Sequence, residues 1–445
     1  MENSVKKPNS NTITLGSIFH NIIVGLAVSI IMLNLGAALG LLSGRGAFAG
    51  MLSAGLIALV TSAFGGSRIQ GSGLTAPMST VTAVIVAYSL EQLPQEVSGI
   101  SAEHFVNIVL LMTAVILVIF GLLKVGRFIR YVPNLVVSGF MCGIAIIIWT
   151  LQFKAIFGID RDPLGGSVLL NSALACLTLF IAFVSPLLLK RVSLRLNSFL
   201  PGTLLALIVV SLLAYFIKAP VEYLTIDVHI TNLSEFTGYI AQQIPTQMTF
   251  KIFMLALPFA IKLAALCYID TLLTSLIIDK MRGTKTRQNK ELIAQGLSTS
   301  IIGFIGGVPG AQSTVPSVLT VKEGATMRLA GISAGLFVII NMMIFSNLMN
   351  YIPQAVFVGI LLKVGYDVFD FKPIYAYLRT IRRELEQRKT KVVRHKEISI
   401  LSGTALVTAF VDLIVAVGAF SASFLIYNHV SKKRKKKKIN DYVPK

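Results

Sequence analysis

Apolar residues run along this chain in long blocks and seldom alternate with polar ones. Many blocks reach 17 or more residues, enough to cross a bilayer core of roughly 30 Å as a helix. The pattern predicts fourteen spans, at 17–42, 46–65, 71–90, 104–124, 133–152, 166–190, 198–217, 252–279, 290–306, 312–322, 327–348, 353–369, 396–412 and 413–430. The third and tenth are interrupted. The expected fold class is an all-α polytopic membrane protein.

The first interruption reads "QGSGLTAPMSTV", residues 70–81. Gly71, Gly73 and Pro77 weaken a helix, while Ser72, Thr75, Ser79 and Thr80 supply hydroxyls. Non-helical backbone at membrane depth is tolerated only when buried in protein or lining a cavity. Pro77 suits the first turn of a helix, where its missing N–H costs nothing. Thr75 stands where a cap belongs. A helix from there to about Leu90 rises roughly 20 Å, too little to span. In the second interruption Pro316 can open a helix capped by Ser313 or Thr314. Lys322 and Glu323 follow roughly 10 Å later. Two half-helices would then aim their N-termini at each other near the midplane. Free N–H groups and positive dipole ends make an anion pocket there. Close helix packing through Gly and Ser is the alternative reading.

The two halves echo each other. "YVPNLVVSG" (131–139) matches "YIPQAVFVG" (351–359) at four of nine positions. "LTAP" (74–77) resembles "STVP" (313–316), and each follows a Gly-Gly pair, Gly65-Gly66 or Gly306-Gly307. An offset of seven spans is odd, so the halves must be inverted in the membrane. Inverted repeats with discontinuous helices at corresponding places mark secondary transporters. Repeat one covers about 17–217 and repeat two about 250–430.

Charge orients the chain. Connections predicted to be cytoplasmic hold Lys124, Arg127 and Arg130; then Lys190, Arg191 and Arg195; then Lys280, Arg282, Lys285, Arg287 and Lys290; the stretch 371–397 is also strongly basic. The connection 90–103 carries Glu91, Glu96 and Glu103 and no Lys or Arg. This is the positive-inside pattern. An even number of spans puts both the N-terminal tail (1–16) and the basic tail (431–445) in the cytoplasm.

Composition agrees. The chain is 54% hydrophobic and 13% charged, against about 25% charged in soluble domains. "MENSVKKPNSNTITLG" lacks the apolar core of a cleavable signal. Much of the net charge of +20 sits in "KKRKKKK" (432–438). That run is read as a tail held at an anionic leaflet and not as a nucleic-acid site. Cys142, Cys176 and Cys267 lie in apolar spans without a CxxC partner, so neither a disulfide nor structural zinc is expected. His20, His104, His229, His395 and His429 show no metal spacing. No nucleophile–base pair stands out, and an enzyme is not expected.

One acid is conspicuous. In "LCYIDTLLTSLIIDK", Asp270 precedes Lys280 by ten residues, about 15 Å of helix and so near mid-membrane. A carboxylate there is costly and functional by default. Thr274 shares its face, one turn on. Asp270, Thr274 and the carbonyls of an unwound 311–314 segment would form an oxygen cage for a small hard cation. Sodium is the natural candidate and a proton on Asp270 the simpler one; a structural carboxylate bonded to backbone is the third reading. Lys262 and Lys363 suit snorkelling as well as anion contact.

These residues resemble the SulP, or sulfate permease, family of anion transporters. "SGLTAPMSTV" is similar to its third-span signature, "VPNLVVSGFMCGIAIIIWTLQ" to its fifth span, and "NKELIAQGLSTSIIGFIGGVPGA" to its ninth running into the tenth. The resemblance covers about residues 15–430. It implies fourteen transmembrane segments in a seven-plus-seven inverted repeat, with a core domain moving against a gate domain. It also implies that Thr75, Ala76 and Pro77, with Gln312, Ser313 and Thr314, line the substrate site. "IDTLLTS" most resembles the sodium-dependent bicarbonate transporters of cyanobacteria. That likeness assigns Asp270 and Thr274 to sodium, with Gln312 and Thr314 completing the cage.

Two features depart from the family. Most members end in a STAS domain, and here only a basic tail follows the last span. Many carry an Arg shortly after the tenth-span strand where this chain has Pro316, and a pocket without that cation holds a monovalent anion more easily than sulfate. The expectation is a secondary active importer of a small inorganic anion, bicarbonate with sodium first, proton-coupled sulfate or a dicarboxylate next. An uncoupled channel or exchanger of the same fold, and a nucleobase permease, are the competitors. No cofactor is expected beyond a coupling ion. The expected partners are the anion and membrane lipids, with a homodimer left open and no nucleic acid, in a bacterial inner membrane.

Overall fold

The computed structural model describes residues 14–93, 97, 99–131, 133–159, 164–192, 202–224, 233–245, 248–385, 395–410, 419, 420 and 423. The basic tail and nearly all of the fourteenth span lie outside them. The first half runs α1 (Leu15–Leu42), α2 (Gly46–Phe64), β1 (Ser72–Leu74), α3 (Ala76–Glu91), α4 (Ala102–Leu122), α5 (Asn134–Phe157), α6 (Val168–Val192) and α7 (Gly202–Phe216). A connecting helix, α8 (Leu233–Gln243), leads to the second half. That half holds α9 (Phe250–Arg282), α10 (Gln288–Phe304), β2 (Gly310–Gln312), α11 (Thr314–Lys322), α12 (Leu329–Met349), α13 (Gln354–Val368), α14 (Lys372–Leu385) and α15 (His395–Phe410). Among the described residues, α1, α2, α4, α5, α6 and α9 are long and apolar enough to cross a membrane unaided.

Two helices occupy stretches read only as connections. α8 and α14 are too polar to form an apolar block. In α14, "KPIYAYLRTIRREL", Ile374, Leu378, Ile381 and Leu385 recur at helical spacing among basic residues. Such a helix suits a membrane surface, and a search for long apolar runs passes over it.

The paired motifs take equivalent places in the two halves. Pro133 and Pro353 are the N-cap residues of α5 and α13, with φ/ψ of −70°/136° and −61°/138°. Thr75 and Ser313 are the N-caps of α3 and α11, both in extended backbone. Gly65 ends α2, and Gly306-Gly307 follow the end of α10.

The helices pack in two groups. In one, α1, α2 and α12 lie against one another, α10 packs on α2 and α4, and α9 on α4. In the other, α13 packs on α5, α6 and α7, and α15 on α5. α3 touches both groups, through α4 and α9 on one side and α5 on the other. Small residues bring the helices of the first group close. A Cβ on Gly50 would lie 2.1 Å from the Gly36 carbonyl oxygen, so α1 and α2 meet there backbone to backbone.

Candidate functional site

The two interrupted spans meet as an antiparallel ladder. Ser72 pairs with Gln312, Gly73 with Ala311 and Leu74 with Gly310. Each strand thereby supplies hydrogen bonds that the other lacks away from water, which is what non-helical backbone needs at this depth. Ser313 N–H also donates to the Gly71 carbonyl (3.1 Å), and Gly71 N–H to Ser317 Oγ (3.0 Å). A Cβ on Gly310 would sit 2.2 Å from Gly73 O; only glycine allows that approach. The sequence marks this backbone as non-helical but does not show that the two pieces pair.

Each strand feeds a half-helix with an open N-terminus. The first intrahelical bond of α3 is Ser79 N–H to Thr75 O (3.0 Å), and that of α11 is Ser317 N–H to Ser313 O (3.2 Å). Ala76 and Met78 in α3, and Thr314 and Val315 in α11, keep first-turn N–H groups that no side chain caps. Pro77 and Pro316 have none to offer.

The expected caps turn out differently. Thr75 is the N-cap residue by backbone, but its hydroxyl donates to Asp270 Oδ2 at 2.9 Å. Thr314 lies inside its helix, and its hydroxyl pairs with Thr274 Oγ1 at 2.8 Å. Ser313 is the N-cap of α11 and makes no side-chain cap bond. A bond to a carboxylate is about twice as strong as a neutral one, which accounts for where the Thr75 hydroxyl goes.

Asp270 is 6% exposed and Thr274 3%. They stand one turn apart on α9, a rise of about 6 Å. One face of α9 therefore offers a carboxylate to the mouth of α3 and a hydroxyl to the mouth of α11. Asp270 Oδ1 makes no hydrogen bond to any described residue. Gln312, the last residue of β2, meets a different face of α9: its N–H donates to Thr271 Oγ1 (3.3 Å) and its Oε1 accepts from Ser275 Oγ (2.6 Å). The residues named from sequence thus form two dyads, Asp270–Thr75 and Thr274–Thr314, with Gln312 beside them. Gln312 Nε2 is a buried donor without a partner among the described residues. Among the described residues, no three His, Cys, Asp or Glu side chains gather as a metal cluster. The arrangement is one carboxylate bonded to one hydroxyl, with a second hydroxyl pair one turn on. Pro316 packs against Gly71. Lys363 lies far along the fold, paired with Asp367 and 4.9 Å above the Phe183 ring.

A second buried acid was not singled out from sequence. Glu291 is fully buried, and its Oε2 accepts Gly66 N–H (2.7 Å) and Ser67 N–H (3.0 Å). Gln295 Nε2, one turn on, reaches both Glu291 Oε1 (3.4 Å) and Ser72 Oγ in β1 (3.2 Å). The signal was available: Glu291, Gln295 and Thr299 form a polar i, i+4 stripe on an apolar helix.

A sequence model of the sulfate permease family matches residues 18–386. The bicarbonate transporter BicA of Picosynechococcus sp. is 30% identical over 438 residues, which span 95% of this chain and 72% of that protein. The putative sulfate transporter YvdB of Bacillus subtilis is 26% identical over 89% of this chain and 71% of its own length. The solved transmembrane domain of a cyanobacterial bicarbonate transporter BicA superposes with a TM-score of 0.76 at 26% identity, covering 92% of this chain and 99% of that one.

Proposed function

From the premise that this chain belongs to the sulfate permease family of membrane anion transporters, we propose that it imports bicarbonate coupled to sodium. Membership makes it a transporter and not an enzyme, on the seven-plus-seven inverted-repeat fold with core and gate domains. The observation that carries the proposal is the joint between acid and anion mouth. Asp270 is hydrogen-bonded to Thr75, the N-cap of α3, and one turn on Thr274 is bonded to Thr314, the first residue of α11. A cation held at Asp270 and Thr274 would touch the hydroxyls at both half-helix mouths. It would offset the carboxylate's repulsion of an anion received by the Ala76, Met78, Thr314 and Val315 N–H groups. The α1–α4 and α9–α12 group then shifts against the gate group, with both termini on the cytoplasmic side of an inner membrane. The 30% identity to a bicarbonate transporter favours bicarbonate over the other anions.

The test is uptake of labelled bicarbonate and labelled sulfate into liposomes holding the purified protein. Each anion is run with an inward sodium gradient, with a proton gradient and with neither. Sodium-driven bicarbonate uptake that Asp270→Asn abolishes is the expected result. Proton-driven sulfate uptake would make Asp270 a proton site, and uptake indifferent to both gradients would replace the importer with an exchanger or channel.

A further inference from the structure

On the face predicted to be cytoplasmic, away from the ladder, a cavity of about 560 Å³ opens between the α2–β1 segment, the α9–α10 turn and the start of α12. Six cations line it: Arg68, Arg282, Lys285, Arg287, Lys290 and Arg328. The one carboxylate in the lining, Asp279, is occupied by its own turn. It accepts from the Thr284 hydroxyl (3.0 Å) and from Thr286 N–H (2.8 Å) and Oγ1 (3.0 Å). Among the described residues, none of the six cations is paired with a carboxylate.

Two of the cations do structural work. Arg328 donates to the Ser62, Ala63 and Gly65 carbonyls at the end of α2, where a cation offsets the negative end of the helix. Arg282 donates to the Ala325 carbonyl. The nearby Glu291 is fully buried behind the wall of the hollow, where it accepts Gly66 and Ser67 N–H and faces Arg328. Arg68, Lys285, Arg287 and Lys290 are left, all exposed and gathered around the same hollow. The N-terminus of α10 opens beside them, where Arg287 is the N-cap and makes no side-chain cap bond. Beyond the apolar part of α9, burial first and the neighbouring Arg68 second lower the Arg282 pKa.

We propose that this basin is a binding site for a polyvalent phosphoryl anion, distinct from the transport site. Its volume falls in the usual range for small-ligand pockets, about 300–1,000 Å³. Several convergent cations and an open helix N-terminus are the elements that recognise phosphate. The four exposed cations come from two separate segments, so a ligand with several anionic oxygens satisfies them better than a monovalent anion does. The phosphoryl group can belong to a soluble di- or triphosphate or to a lipid headgroup, since the hollow is lined by the residues that follow the apolar part of α9, on the face predicted to be cytoplasmic.

The test uses the full chain in nanodiscs. One arm titrates inorganic pyrophosphate onto protein in phosphatidylcholine nanodiscs and reads calorimetric binding. The other replaces part of the lipid with cardiolipin, whose headgroup carries two phosphates, without soluble phosphate, and reads the rise in unfolding temperature. Binding is expected in one arm at least, and the arm that responds names the source. A triple variant, Arg68→Gln with Lys285→Gln and Lys290→Gln, is expected to bind at least tenfold more weakly in that arm, while Lys285→Arg with Lys290→Arg keeps wild-type affinity. The triple variant without ligand should unfold at a temperature no lower than wild type, because it removes crowded like charges. The conservative pair separates lost charge from lost fold, and Thr75→Val should bind pyrophosphate as wild type does. Binding in neither arm, or equal binding by the triple variant, overturns the proposal.

Discussion

Replacing Thr75 with Val tests the joint between the two halves most directly. The substitution keeps the branched shape and removes one hydroxyl. That hydroxyl makes a 2.9 Å bond to the carboxylate of Asp270, which is 6% exposed. Hydrogen bonds to charged groups contribute about 1.5–3 kcal/mol. At about 1.4 kcal/mol per tenfold, the loss corresponds to roughly a 10- to 150-fold fall in kcat/KM for the coupling cation. Thr75→Ser keeps the donor and should recover most of the rate. The assay is the initial rate of uptake into liposomes of the anion that wild type imports, across a series of cation concentrations. The expected order is wild type, then Ser, then Val, with anion binding in the absence of the cation little changed. Val at the wild-type rate would refute the reasoning, because the bond would then be incidental. Ser as poor as Val would refute it too, because the lost quantity would be the methyl packing and not the hydroxyl.

Three further outcomes follow from the same geometry. Glu291→Gln removes the charge that holds Gly66 and Ser67 N–H and should cost about 1.5–3 kcal/mol; it is read as a lower unfolding temperature and faster hydrogen exchange at those two amides. Gly310→Ala places a Cβ 2.2 Å from Gly73 O and should prevent the ladder from closing, whereas Gly73→Ala meets only the flexible end of Met32 at 3.1 Å; yield of folded protein and uptake should collapse in the first and survive in the second. Asn34 is buried with neither amide atom bonded to any described residue, and an unpaired buried amide costs about 1–3 kcal/mol; Asn34→Leu should hold or raise the unfolding temperature, and a marked fall would show that the amide has a partner.

What could be read from sequence follows the length of each signal. Spans of twenty-odd apolar residues announce themselves, and α1, α4, α6 and α9 begin and end within three residues of the predicted limits. The half-helices were legible because Pro77 and Pro316 sit where only a helix start accepts them. Asp270 was legible because burying a charge in an apolar run is expensive. The ladder was not, since three-residue strands have no period and their pairing joins residues about 240 apart. The direction of a hydroxyl was not legible either. Thr75 beside a helix start reads as a cap, and only the position of α9 reveals a stronger acceptor. Glu291 was passed over because it opens a helix at the cytoplasmic edge, where an acid in the first turn is ordinary.

The repeat is symmetric in backbone and one-sided in chemistry. Both halves provide an open helix mouth, and Thr75 and Thr314 each place a hydroxyl against α9. The acid belongs to one half alone. Asp270 lies about twenty residues into α9; at the same depth α1, the corresponding first helix of the other repeat, has the neutral Asn34. Asn34 lines an apolar crevice shared with α7 and α12 and not the ladder. The open helix mouth is therefore duplicated, and the carboxylate is not. On the proposed coupling this fixes a charge balance. The moving group carries the carboxylate in both directions, and one monovalent cation with one monovalent anion adds no net charge to the loaded form. Loaded and empty crossings then differ by zero charge, and the membrane potential does no net work on the cycle. With a monovalent anion the loaded site keeps the single negative charge of the empty one, whereas a divalent anion with the same single cation would leave two at mid-membrane, where charge is most costly. A lone acid set between two uncharged mouths thus favours a monovalent anion on electrostatic grounds that do not depend on the likeness to any relative.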